Sequence, residues 1–387
     1  MRYLFVNPFF IFVVSISSSF ILYRMGLSGF YDGAFSSADY MMCFVLFVSL
    51  IASIGFHKFV KRRLASQDDA DRLPKYNLFF LVLISISFFV LEILHAGGIP
   101  IIYIMRGVSY DYTQFGIPTL HVAFLGYYSV AAVVSYERYI SIKERKYLIP
   151  VALAIIYNVC IVNRGALLIT LASLLFVYMY SSRKRVKAFL VMLIMLFCIT
   201  IVFGYIGDKR MVSSGYENSD AIYDIGRADP AFRELPTGFF WVYIYASSTY
   251  ANLVSQESEG NINTGGIMDF INFSILPDFI SKHTIKEGES FNLKLIAPEL
   301  TVGTAFGRAF VILGYAGIVA LAFWYSVVVW LVVLVNRNKK LISACSILCS
   351  VSLFMSFDNM LVFASFVLQM IFLSLYSRLR FGRYRLL

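Results

Sequence analysis

The chain is 387 residues long, 59% hydrophobic, 17% aromatic and only 14% charged, with a mean hydropathy of +0.74. So few charges cannot cover that much apolar surface in water, which excludes a soluble globular enzyme and points to an all-α polytopic membrane protein. The net charge of +10 resides mainly in short loops between apolar tracts, so it reads as a membrane-orientation signal and no nucleic-acid partner is expected.

Apolar tracts of roughly 20 residues match a hydrocarbon core of about 30 Å. The first covers residues 3–23; it has no basic leader beyond Arg2 and no small-residue cleavage site, and is read as a span, not a signal peptide. Nine more follow at 38–56, 77–96, 120–136, 147–162, 166–181, 188–206, 315–335, 341–356 and 360–376, about ten transmembrane helices in all. Together with Arg2, the connections after the second, fourth, sixth and eighth tracts and the C-terminal tail hold 22 of the 33 Lys and Arg. By the positive-inside rule these loops and both termini are cytoplasmic.

One long loop, residues 208–300, falls on the opposite, external face, with seven basic against thirteen acidic residues. Within it the uncharged run FFWVYIYASSTYANLV at 239–254 is too short to cross and reads as an interfacial helix, with GGIMDFINFSILPDFI at 265–280 as a second interfacial piece. If 239–254 and 301–313 both crossed, the chain would have twelve spans; ten is the preferred count. No internal repeat, low-complexity tract or soluble domain is visible, so residues 1–387 form a single integral membrane domain. The five cysteines all lie inside apolar tracts, where none is placed for a disulfide.

The segment CIVNRGALLIT, 160–170, sets Arg164 in the two-residue turn between the fifth and sixth tracts. The same external face presents Arg106 and the cluster Tyr110, Asp111 and Tyr112 after the third tract. It also carries Arg210, Arg227, Arg233 and His283 in the long loop, and Arg308 before the eighth tract. Guanidinium forks match the oxygens of a phosphate or diphosphate, and near the headgroup level a lower dielectric strengthens the contact, so a site for a lipid-linked phosphate is expected there. The plain alternative for Arg164 and Arg106 is a snorkelling anchor to lipid headgroups. For Arg308 it is a structural ion pair with Glu299, Asp111 or Asp358.

Other polar signals are weaker. Asp69 and Asp71 spell D-x-D in a short cytoplasmic loop beside Lys61, Arg62 and Arg63, with no domain to hold a nucleotide, so a solvated loop is the better reading. Glu92 and His95 in the third tract could form a proton relay of the transporter kind, which the lack of further intramembrane carboxylates disfavours, while His57 and His121 read as interfacial polar residues. No metal-ligand cluster, Walker motif or G-x-S-x-G occurs, so no metal or other cofactor is expected.

Taken in order, GGIPIIYIMRG, FGIPTL, NRGALL, YIYASSTYANL and ESFNLKLIAPELTVGTAFGRAFVILGYAGI resemble the Wzy-type O-antigen polymerases, the oligosaccharide repeat-unit polymerases, over about residues 95–320. The flanking helices match only in hydropathy. The resemblance implies a metal-independent, GT-C-like membrane glycosyltransferase of lipopolysaccharide biosynthesis in the bacterial inner membrane. Its substrates would be an undecaprenyl-diphosphate-linked oligosaccharide donor and a like acceptor, the chain passing en bloc to the non-reducing end of the newest repeat unit on the periplasmic face. Membrane lipids are implied partners, with a chain-length regulator as an optional further one.

Position by position, the family's arginine at the head of a span falls on Arg164 and the one after the long loop on Arg308. Arg106, Arg210, Tyr110, Tyr112 and Asn292 complete the expected substrate-binding set. A sugar hydroxyl attacking an anomeric carbon must surrender a proton, and His283, Glu287, Glu299 and Asp111 are the candidates to take it. The related O-antigen ligases use a histidine in the large external loop, which favours His283. A flippase-type transporter of the lipid-linked oligosaccharide and an O-antigen ligase are the alternative functions. Against a transporter stands the loop of some 93 residues in one half of the chain only.

Overall fold

The computed structural model describes residues 2–31, 33–65, 76–106, 115–182, 221–285, 288, 290–336 and 340–375, with scattered positions between 187 and 211 and four in the C-terminal tail. Among these the chain is helical except for loops and two two-residue strands, Arg380–Phe381 and Tyr384–Arg385. Four helices are long and apolar enough to cross a membrane: α2 (Ser37–Ala65), α3 (Leu78–Ala96), α7 (Arg164–Ser181) and α9 (Phe306–Val335). Shorter apolar helices are α1 (Pro8–Arg24), α10 (Leu341–Phe354) and α11 (Ala364–Leu375). Along α2 and α3 large apolar side chains such as Phe44, Phe47, Ile51, Phe79, Ile86 and Leu94 point outward. In water such surfaces would associate; in lipid they are solvated. The architecture is that of a helical membrane protein.

The helix ends follow local chemistry. Asn7, Asn77 and Asn163 cap α1, α3 and α7, each accepting a backbone N–H of the first turn with its side-chain oxygen. Pro8 and Pro150 stand in the first turns of α1 and α6 (Ile149–Cys160), where a missing N–H costs nothing. Between α3 and α6 lie the short α4 (Pro100–Met105) and the 23-residue α5 (Leu120–Ile142). α6 is only 12 residues long, shorter than the tract 147–162 because a 3-10 turn at Arg145–Leu148 takes up its start. Conversely, α2 continues nine residues past position 56, through the basic run at 58–63.

Polar contacts set the register of the bundle. At one end Asn7 Nδ2 donates to the carbonyl and hydroxyl of Ser53, each at 2.9 Å. At the other, Arg24 is ion-paired with Asp39, so α1 and α2 run antiparallel. The end bearing Arg24 and Asp39 is called the upper end here. Phe9, Phe12, Phe56 and Tyr325 pack edge-on and stacked in the core between α1, α2 and α9.

Helix α9 is a hairpin. Gly314 has φ 55° and ψ −140°, a conformation closed to residues with a side chain, and a Cβ there would lie 2.5 Å from Asn263 Oδ1. The chain doubles back so far that a Cβ on Gly317 would run into the Ala309 carbonyl. The carbonyls that the break releases, Val311 and Ile312, accept the N–H groups of Thr264 and Gly265 at 3.0 and 3.1 Å. Residues 306–313 extend only about 12 Å as helix, far short of a membrane crossing. The continuous run that remains, 315–335, coincides with the tract expected from hydropathy.

Helix α8 (Thr237–Ser258) replaces the 16-residue interfacial piece with 22 residues, most of them buried. Its side-chain bonds reach residues of the upper end. Tyr243 OH receives the Leu27 N–H, Tyr250 OH donates to Asp39, and Trp241 Nε1 and Thr237 Oγ1 donate to Asp208. Its buried Asn252 and Gln256 clamp the backbone of Lys294, Ile296, Leu300 and Val302. The second interfacial piece becomes two four-residue helices flanking a π-helical turn at Ile271–Ile275. That segment docks on the turn between α10 and α11 through Asp278 N to Val362 O (2.7 Å) and Asn359 Nδ2 to Ser274 O (2.8 Å). The four described cysteines are free; Cys198 lies outside the described residues.

Candidate functional site

Three of the expected arginines stand at the upper end. Arg164 is the first residue of α7, directly after the cap Asn163. Its height follows from the contact of Ser173 with Ser350 on α10, 2.8 Å: Arg164 is nine residues further up, about 13 Å along a helix. Arg308 reaches nearly the same height by another route. Ala305 N–H donates to Met355 O at 2.9 Å, and the re-entrant helix then climbs three residues, so Arg308 stands about 12 Å above Ser350. Both α7 and α9 pack on α10. Arg106 ends α4, which packs on α6 just before the turn that carries Arg164.

All three guanidinium groups are exposed, and none makes a hydrogen bond or an ion pair among the described residues. Asp358, on the turn after α10, is within electrostatic reach of Arg308 but is not bonded to it; its Oδ1 accepts the Asn359 N–H instead. The structural ion pair that was the plain alternative for Arg308 is therefore not formed with Asp358. Other arginines at this end are engaged. Arg24 binds Asp39 and the carbonyls of Gly33 and Ala34. Arg233 binds Asp224 at 2.5 Å, and Arg227 lies over the Phe30 ring at 4.5 Å.

His283 is exposed on the turn after Asp278–Ser281, the helix docked on the α10–α11 turn, and its ring makes no hydrogen bond among the described residues. Glu299 is half-buried in the segment held by Asn252. Asn292 is exposed, with its carbonyl accepting from Asn261 at 3.2 Å. Asp111, Tyr110, Tyr112, Arg210 and Glu287 lie outside the described residues, as do Asp69 and Asp71. Among the described residues no three His, Cys, Asp or Glu side chains are grouped to hold a metal ion.

The Glu92–His95 relay, the disfavoured reading of that pair, is not formed, and Glu92 has other partners. Glu92 is fully buried while His95, on the same helix, is exposed. The Glu92 carboxylate meets His121 Nδ1 at 2.8 Å through Oε1 and accepts the Tyr157 hydroxyl through Oε2. Tyr157 in turn stacks on Tyr128, centroids 4.1 Å apart. Three helices, α3, α5 and α6, thus meet on one carboxylate near their upper ends. His121 carried no signal beyond its place at the head of a tract. No known protein family, characterised protein or solved structure matches this chain at a significant level.

Proposed function

We propose that this chain is an O-antigen repeat-unit polymerase of the bacterial inner membrane. In this reading the helices cross ten times, both termini are cytoplasmic, and 208–300 lies on the periplasmic side with the upper end of the bundle. The reaction moves a polyprenyl-diphosphate-linked chain to the non-reducing end of a new lipid-linked repeat unit.

The observation that carries the proposal is the set of exposed guanidinium groups at Arg106, Arg164 and Arg308, unpaired among the described residues, with the last two at one height. Two lipid diphosphates must be gripped at the membrane surface, one as leaving group and one as the handle of the acceptor. Arginine forks supply bidentate contacts to both, and their charge stabilises the departing diphosphate as the glycosidic bond to it breaks. At the head of α7 the aligned peptide dipoles of the helix add to the field that Arg164 presents to an anion.

Deleting the gene in a strain that makes O-antigen should leave lipid A core carrying a single repeat unit. Loss of a flippase or a ligase leaves none, so unsubstituted core would replace this reading with one of those. Topology is tested separately: a reporter inserted at Gly260, in the exposed turn after α8, should report the periplasm. A cytoplasmic signal would require two more crossings and would remove α8 and its neighbours from the site.

A further inference from the structure

We infer that His121, held by Glu92, is the group that takes the proton from the attacking sugar hydroxyl; the inference rests on the polymerase reading and adds to it the base that the long loop does not identify. The first observation is the hydrogen-bond order. With Glu92 taken as the ionised carboxylate, which can only accept, Nδ1 of His121 is the donor in the 2.8 Å contact, with the Tyr157 hydroxyl at 3.3 Å as its second neighbour. In the neutral ring the lone pair then resides on Nε2. A carboxylate behind Nδ1 also stabilises the imidazolium that forms when Nε2 gains a proton.

The second observation is what surrounds the ring. Tyr157 occupies the other carboxylate oxygen, so Glu92 is held in place and is itself closed to substrate. Phe115 stands edge-on to the imidazole, centroids 5.8 Å apart. Gly116, at φ 97°, passes so close that a Cβ there would lie 2.6 Å from His121 Nδ1 and 2.7 Å from Glu92 Oε1. The pair is thus sealed on the Nδ1 side. Yet the His121 side chain keeps 20% of its surface exposed, and Nε2 makes no hydrogen bond among the described residues. One face of the ring is locked and the other is open.

The third observation is position. Thr170 of α7 contacts Ser129 of α5 at 3.2 Å. From there Arg164 is six residues up, about 9 Å, and His121 eight residues up, about 12 Å. Tyr157 and Arg164 moreover flank one turn, closed by Ile161 N to Tyr157 O and Asn163 N to Asn158 O, both 3.0 Å. The residue that fixes Glu92 and the residue that would grip a diphosphate are therefore built on the same piece of backbone.

In the step itself the acceptor hydroxyl oxygen bonds to the anomeric carbon of the donor and gives its proton to His121 Nε2. The bond from that carbon to the donor diphosphate breaks, and its electron pair leaves with the polyprenyl diphosphate under the arginines. The imidazolium afterwards returns its proton to water. Glu92 is a positioning residue in this scheme, acting only through His121.

The test uses purified full-length protein extending undecaprenyl-diphosphate-linked repeats. His121→Asn places an amide N–H where Nδ1 stands and so keeps a donor to Glu92 while the base is lost; turnover should fall at least a hundredfold at an unchanged melting midpoint. His121→Gly should fall equally and recover in part when imidazole is added, a rescue that a merely structural histidine would not show. Glu92→Gln should lower kcat while leaving KM within about twofold. Retention of more than about a tenth of the activity in His121→Asn overturns the inference. So does failure of imidazole to restore His121→Gly, or failure of His121→Asn to accumulate as folded protein, which would make the role structural. If wild-type protein does not elongate the lipid-linked repeat at all, the polymerase reading has failed, not the assignment of its base.

Discussion

Arg164→Lys is expected to cut polymerisation at least tenfold, although it keeps the positive charge. A lysine ammonium is a point charge that cannot reproduce the two parallel N–H donors of a guanidinium fork. Removing a charge-assisted contact to a bound anion costs about 2–5 kcal/mol, and about 1.4 kcal/mol is a factor of ten in rate. If Arg164 merely anchors the α6–α7 turn to headgroups, lysine snorkels equally well and O-antigen ladders stay full. The structure favours the larger effect. The cap Asn163 and the Asn163 N–H bond to Asn158 O fix the backbone beneath Arg164, and no described carboxylate competes for its fork. The measurement is ladder length with the variant at wild-type level in a polymerase-null strain. A full ladder would move the diphosphate site towards Arg308 and Arg106.

What hydropathy could read, it read well. An apolar run of some 20 residues declares a span wherever it lies, which is why 77–96 and 315–335 agree with α3 and with the long arm of α9. The re-entrant arm shows in the sequence only within the tract 301–313 that would cross in a twelve-span chain, because the reversal at Gly314 depends on Asn263 and Thr264, about 50 residues earlier. The arginines were visible because a guanidinium in an apolar context is conspicuous in any window. The Glu92–His121–Tyr157 contact was not: its members are 29 and 65 positions from Glu92. His95 lies nearer in sequence, and which histidine meets Glu92 is decided by the helix faces turned inward. No periodicity within one tract carries that information.

The same blindness hid a heavily bonded carboxylate at the upper end, and there the largest loss of stability is expected. Asp39 is fully buried at the start of α2. It accepts from Arg24, from the Ser36 N–H and hydroxyl at 2.7 and 2.9 Å, and from Tyr250 OH at 3.0 Å. One carboxylate thus ties α1, α2 and α8 together, and α8 in turn holds the segment leading to Arg308. Asp39→Ala would take from Arg24, whose side chain is only 13% exposed, the buried carboxylate it is paired with, and from Tyr250 its acceptor. Breaking a buried pair from one side typically costs about 3–5 kcal/mol, because the remaining charge stays desolvated. At roughly 2 °C per kcal/mol for a chain of this size, the melting midpoint in detergent should fall on the order of 6–10 °C. Lys146→Ala, which removes the exposed pair with Glu144, should leave the midpoint where it is, since solvent already screens that contact. Equal midpoints for wild type and Asp39→Ala would show that the upper end is held by apolar packing alone. A drop together with shortened ladders in Asp39→Ala, at a temperature where the protein remains folded, would tie the clamp through α8 to the placement of Arg308.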